Sequence, residues 1–124
     1  QKIVEQFQEP VEEKYPLGSY VNKHFGKNSV QEILDSIQAD KDNAELSEVL
    51  IKNMKTFSPI SMRVIFEQIK RGKDLDLAEN FKMDYRIAVR CMEGNDFFEG
   101  VRCTLIDRKD TPKFKHSSVK DVQD

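Results

Sequence analysis

The sequence predicts an all-α fold, a small bundle of five or six helices, and three observations predict it. Apolar residues recur at three- and four-residue steps in five successive stretches, and no stretch shows convincing strand alternation. Those stretches open and close on helix punctuation, with Ser29, Ser58-Pro59, Gly72 and Gly94 at their ends. Hydrophobic residues make up 38% and charged residues 34% of the chain, with five glycines and four prolines, which suits a helical unit with a solvated exterior.

The 124 residues fit one domain. A formal net charge of −2, from 20 basic and 22 acidic residues, gives no whole-molecule field toward nucleic acid, so no nucleic-acid partner is expected. No apolar run approaches bilayer length, and no membrane partner is expected either. The chain starts at Gln1, which fits an excised piece of a longer protein.

Residues 1–18 carry Pro10, Pro16, Gly18 and an acidic run, and read as a linker or arm with an apolar anchor at Ile3, Val4 and Phe7. Residues 19–118 form the helical domain, and 119–124 a polar tail. From Ser19 a short helix carries Tyr20 and Phe25 and stops at Gly26. The next spans 29–39, where Ser29 followed by Glu32 has capping-box spacing and Val30, Ile33, Leu34 and Ile37 share a face. Asp40, Lys41 and Asp42 make a polar turn, and Asn43 caps a helix striped with Leu46, Val49, Leu50 and Met54.

Ser58-Pro59 opens the fourth helix, since proline at the first helical position forfeits no hydrogen bond. Its broad face of Ile60, Met62, Val64, Ile65, Phe66 and Ile69 predicts burial against more than one neighbour. The fifth runs from about Asp74 to Met92 with Ala78, Phe81, Tyr85, Ala88 and Met92 as its core stripe. In the last, Asp96 and Glu99 are spaced to cap, Phe97, Val101 and Leu105 supply an apolar face, Gly100 admits a neighbouring helix, and Arg102 pairs with a carboxylate on another element. Beyond Asp107 a charged tail follows.

The residues assemble no catalytic constellation. No glycine-rich phosphate loop or nucleophile elbow is present, and no metal-ligand spacing links His24, His116, Cys91 and Cys103, which read as structural or surface residues. Two cysteines are too few for a disulfide framework and suit a reducing compartment.

Three runs carry more specific information. Ser58-Pro59-Ile60-Ser61, Met83-Asp84-Tyr85-Arg86 and Asp96-Phe97-Phe98-Glu99-Gly100-Val101-Arg102 occur in order, followed by Leu105-Ile106-Asp107-Arg108-Lys109 and Pro112-Lys113-Phe114. This pattern resembles the C-terminal region of 3-hydroxyisobutyryl-CoA hydrolases, in the enoyl-CoA hydratase/isomerase or crotonase superfamily, over roughly residues 20–118. Three positions depart from it: Asp84 where Glu is common, Cys103 where Ala is usual, and Phe114 where Trp is frequent.

The resemblance implies a mitochondrial parent that hydrolyses an acyl-CoA thioester in valine breakdown. Its catalytic groups would lie in a spiral core to which residues 1–18 lead, so this chain would hold no catalytic residue and be inactive alone. Coenzyme A enters as part of the substrate, with no covalently bound cofactor, and the acyl-CoA partner is met through that core. Arg108, Lys109, Lys113 and Phe114 are the candidate CoA-binding residues, because basic side chains neutralise phosphate and an aromatic ring can stack on adenine. Self-association through broad apolar faces is a further expectation. The alternatives are a non-enzymatic crotonase-like interaction module in a mitochondrial assembly, and a related enoyl-CoA hydratase.

Overall fold

A computed structural model of the chain describes residues 17–122, and the expected arm at 1–18 therefore lies almost wholly outside the described residues. Six α-helices follow one another: α1 Gly18–Phe25, α2 Val30–Gln38, α3 Ala44–Met54, α4 Pro59–Gly72, α5 Leu77–Glu93 and α6 Asn95–Val101. A π-helical turn, Arg102–Ile106, continues α6, and a 3₁₀ turn, Val119–Asp121, comes near the end. No strand occurs among the described residues, in agreement with the all-α expectation.

Local chemistry explains most of the boundaries. Ser29 Oγ accepts the Glu32 amide at 3.2 Å, while the Glu32 carboxylate takes the Asn28 amide, so a free donor of the first turn of α2 and the amide just before its cap are both satisfied. Ser58 Oγ accepts the Ser61 amide in the same way, with Pro59 as the first residue of α4. The fifth helix begins at Leu77, not at Asp74, because Asp76 accepts the Glu79 amide at 2.8 Å and caps there. Asn80 Nδ2 then reaches the carbonyls of Gly72, Leu75 and Asp76, closing the α4–α5 turn.

Helix α2 is the hub. It packs against α1, α3, α4 and the 3₁₀ turn, and its Val30, Ile33 and Ile37 are buried, with Ile37 fully so. Tyr20 from α1 and Val119 from the 3₁₀ turn complete this core. Beyond residue 118, where the sequence reads as polar tail, Val119 is buried and Arg63 of α4 donates to the Val122 carbonyl.

A polar network threads the same region. His24, 1% exposed, contacts Ser36 Oγ through Nδ1 at 2.8 Å and Asp40 Oδ2 through Nε2 at 2.9 Å, and its ring lies 4.4 Å from that of Tyr20. The Asp40 carboxylate also receives Lys23 Nζ, Asn43 Nδ2 and the Asp42 amide. Asn43 therefore does not cap α3 with its side chain, as expected, but serves Asp40; and Asp40, expected in a solvated turn, is buried. Tyr20 and Ser47 hydroxyls pair at 2.8 Å, so α3 turns Ser47 inward and leaves Val49 of its expected stripe exposed.

The second half is built differently. On α5 the half-buried positions are Asn80, Met83, Ile87 and Cys91, and this face meets α4. The expected core stripe points outward: Phe81, Tyr85 and Met92 are exposed, Tyr85 at 72%. The helix has two apolar faces, and heptad-like spacing alone does not say which one packs. On α4, Ile65 and Ile69 are likewise exposed although the helix meets α2, α5 and the 3₁₀ turn.

Burial raises the Asp40 carboxyl, but hydrogen bonds from Asn43, His24, Lys23 and the Asp42 amide outweigh it and hold it well below the usual carboxylate range. A depressed folded-state value contributes stability above about pH 4 that is lost as the pH falls toward the folded value. Asp40→Asn is therefore expected to flatten the acid limb of the stability–pH curve, measured by urea unfolding between pH 2 and 7. His24→Ala, which leaves Ser36 and Asp40 short of a buried partner, is expected to cost about 2–3 kcal/mol in the same measurement.

Candidate functional site

The residues singled out by sequence lie where α6, the π turn and the following loop meet. Asp96 does not cap α6, whose N-cap is Gly94 without a side-chain bond. Its carboxylate bridges instead: Oδ2 accepts Ser58 Oγ–H at 2.6 Å and Oδ1 the Lys115 amide at 2.8 Å. One side chain thus ties the start of α4 to the returning loop. Glu99, also expected to cap, reaches the same loop and accepts the Lys113 amide at 2.9 Å.

Arg102 is the centre of the arrangement. Its Nε and Nη2 donate to the two oxygens of Glu99, both at 2.9 Å, in a bidentate pair. Nη1 donates to Asp107 and to Asp110, each at 2.8 Å, and Nη2 also reaches Cys103 Sγ at 3.2 Å. All five guanidinium donors are used. The expected pairing with a carboxylate on another element is met by the loop, while the bidentate partner belongs to the arginine's own helix. The hydrogen bonds from Arg102 and the Lys113 amide bring the Glu99 carboxyl down to about 2, and Glu99, Asp110 and Asp107 raise the Arg102 guanidinium. Burial pushes the Cys103 thiol up, which suits an inert packed cysteine.

The four candidate ligand residues sit on the loop these contacts hold. Phe114 is half-buried, its ring 3.9 Å from the place a Cβ at Gly100 would occupy. Gly100 therefore faces the Phe114 ring, not a neighbouring helix. Arg108, Lys109 and Lys113 are exposed, and among the described residues none of the three side chains has an ion-pair partner. The loop brings the four into one stretch without closing a pocket around them. Lys115 is a fourth exposed cation on the same stretch of chain, missed in sequence because it follows the Pro112-Lys113-Phe114 run. No group of three or more His, Cys, Asp or Glu among the described residues is placed to hold a metal ion.

The apolar surface forms the second feature. Leu77, Phe81, Tyr85 and Met92 on α5, and Phe98, Leu105 and Ile106 after it, are all more than half exposed. Between α1, α2 and α4 an open apolar groove of about 570 Å³ is floored by Val30, Ile33, Met62 and Phe66. Surfaces this apolar normally meet other protein.

The fold and the Arg102-held loop together define a class, a small all-α unit with a polar-tied loop and exposed apolar side chains. The chain belongs to the enoyl-CoA hydratase/isomerase family, whose model matches residues 1–124. It is 38% identical over 104 residues to the mitochondrial 3-hydroxyisobutyryl-CoA hydrolase of Bos taurus, covering 84% of the chain and 26% of that protein. It is 39% identical over 103 residues to the protein of the same name from Dictyostelium discoideum, and 35% over 102 to that from Xenopus laevis, each match covering 82% of the chain. The chain thus spans about a quarter of the length of these relatives. The family resemblance read from the Ser58, Met83 and Asp96 runs is met by these matches.

Gly100 lies inside α6 and has no positive φ, and a Cβ there would make ordinary van der Waals contact with Phe114. Gly100→Ala is accordingly expected to stabilise the chain by roughly 0.5–1 kcal/mol through helix propensity. Thermal unfolding of that variant checks it; a fall in Tm would mean the ring needs the glycine.

Proposed function

We propose that the chain is the C-terminal helical part of a mitochondrial acyl-CoA thioester hydrolase acting on 3-hydroxyisobutyryl-CoA in valine breakdown. In this reading it is inactive alone, covers the catalytic portion with its uncovered flank, and meets coenzyme A through the loop carrying Arg108, Lys109, Lys113 and Phe114. The observation that carries the reading is 35–39% identity, over more than four-fifths of the chain, to proteins bearing that name. The exposed stripe of Leu77, Phe81, Tyr85 and Met92 supports it, because a helix with two apolar faces is built to pack on both sides.

Thioester cleavage needs donors aimed at the developing oxyanion and a carboxylate that activates water or attacks the carbonyl. Glu99 and Asp96 are poor candidates for the second task. Both are occupied by backbone amides of the loop, and Glu99 is further held by Arg102. The helical part contributes binding and closure, and the chemistry belongs to the portion of the parent outside this chain. Release of CoA from 3-hydroxyisobutyryl-CoA, followed by thiol titration, is expected from the complete parent and not from the isolated chain. Cleavage by the isolated chain, or none by the parent, would overturn the assignment.

A second reading, an interaction module without chemistry, is favoured by the same uncovered flank. The isolated chain is expected to self-associate at high concentration, and Phe81→Glu with Tyr85→Glu to return it toward monomer mass in light scattering. In the complete parent the same double change is expected to lower Tm if the flank is covered there, and to leave it unchanged if the flank serves a separate partner.

A further inference from the structure

The loop after the π turn is of mixed charge in sequence: Asp107, Arg108, Lys109 and Asp110 stand in a row, followed by Lys113 and Lys115. In the fold these charges are separated. Both carboxylates, themselves more than half exposed, are turned onto one nitrogen of Arg102, each at 2.8 Å, while Arg108 and Lys109 between them stay exposed and unpaired among the described residues. Downstream, the backbone of 113–115 is fastened along the first turns of α6. The Lys113 amide donates to Glu99, its carbonyl accepts from Asn95 Nδ2 at 3.3 Å, and the Lys115 amide donates to Asp96. The side chains of Lys113 and Lys115 are left exposed on the outer face.

We propose that Arg102 is the positioning residue of an anion-binding loop: by engaging Asp107 and Asp110 it leaves the Arg108 and Lys109 side chains unpaired and available to a phosphate-bearing ligand. This rests on the reading of the loop as a CoA contact and assigns a residue that would not itself touch the ligand. The physical reason is local. A carboxylate free to swing onto Arg108 or Lys109 would compete with a phosphate for the same donors, and each such competing pair screens the surface charge. Arg102 also adds one positive charge beside three negative ones, Glu99, Asp107 and Asp110, so its loss makes the loop more acidic without removing a single outward-facing cation.

The surface charge is read directly by NMR, comparing relaxation of the Arg108 and Lys109 amide protons by an anionic and a cationic nitroxide. In the wild-type chain the anionic probe is expected to dominate by roughly twofold to fivefold at moderate salt. The ratio should fall toward one in Arg102→Met and return in Arg102→Met combined with Asp107→Asn and Asp110→Asn. That rescue separates charge presentation from simple loss of loop structure, which the two extra changes would not repair. A wild-type ratio at or below one, a ratio unmoved by Arg102→Met, or failure of the triple variant to recover would each overturn the proposal. Should Arg102→Met unfold, Arg102→Gln with the same two asparagines carries the test by the same criterion.

Titration with adenosine 3′,5′-bisphosphate reads the ligand. Affinity is expected to drop roughly threefold to tenfold in Arg102→Met and to recover in the triple variant. Wild-type binding that ignores all these changes would also overturn the proposal. A positive surface that binds no bisphosphate would leave the charge sorting standing and remove the CoA contact from the functional reading.

Discussion

The apolar face of α2 is the constraint from which the rest of the bundle follows. Val30, Ile33 and Ile37 repeat at three- and four-residue steps and bury against four neighbouring elements. Burial of these side chains supplies the main driving force, since each removes most of its apolar surface from water. The elements around α2 inherit their placement from it. Helix α1 arrives with Tyr20 and the 3₁₀ turn with Val119, and α4 packs on α2 as well. Because the core is small, the polar groups that entered it must be paired, and the chain through His24, Ser36 and Asp40 does this while tying α1 to α2 and to the turn that follows it.

The second half of the chain is held by a different kind of bond. From α5 onward few side chains are buried, and the ties are hydrogen bonds and ion pairs: Ser58 to Asp96, Glu99 to Arg102 and Lys113, and Arg102 to the loop. Directional bonds of this sort fix register better than apolar contact does, at modest net gain in stability. The result is a loop of defined path on a frame that still exposes a broad apolar flank. Such a division of labour suits a unit whose second half finishes packing only against further protein.

Much of the fold was legible in the sequence because its signals are local. Ser29, Ser58-Pro59 and Gly94 mark helix ends through bonds made within one turn, and the structure has helices starting or stopping beside each of them. The family was legible as well, from the resemblance carried by the Asp96 to Arg102 run, and the family match bears it out. The errors fall where the deciding partner is distant. Asp96 has the spacing of a cap, but Ser58, 38 residues away, and Lys115, 19 away, compete for its carboxylate and win. Asp40 reads as a solvated turn residue until His24, 16 residues earlier, is brought against it.

By itself, then, the sequence determined that the chain is helical and roughly where each helix begins and ends, which short-range periodicity and capping settle, and its motifs carried the resemblance to the family. Only the tertiary structure decided which apolar face of α5 packs on α4, which acids partner Arg102, and that the basic residues of the loop face outward. Each of these is a choice between chemically similar options, two apolar faces or several carboxylates. Energies that depend on distance in space, not along the chain, make that choice.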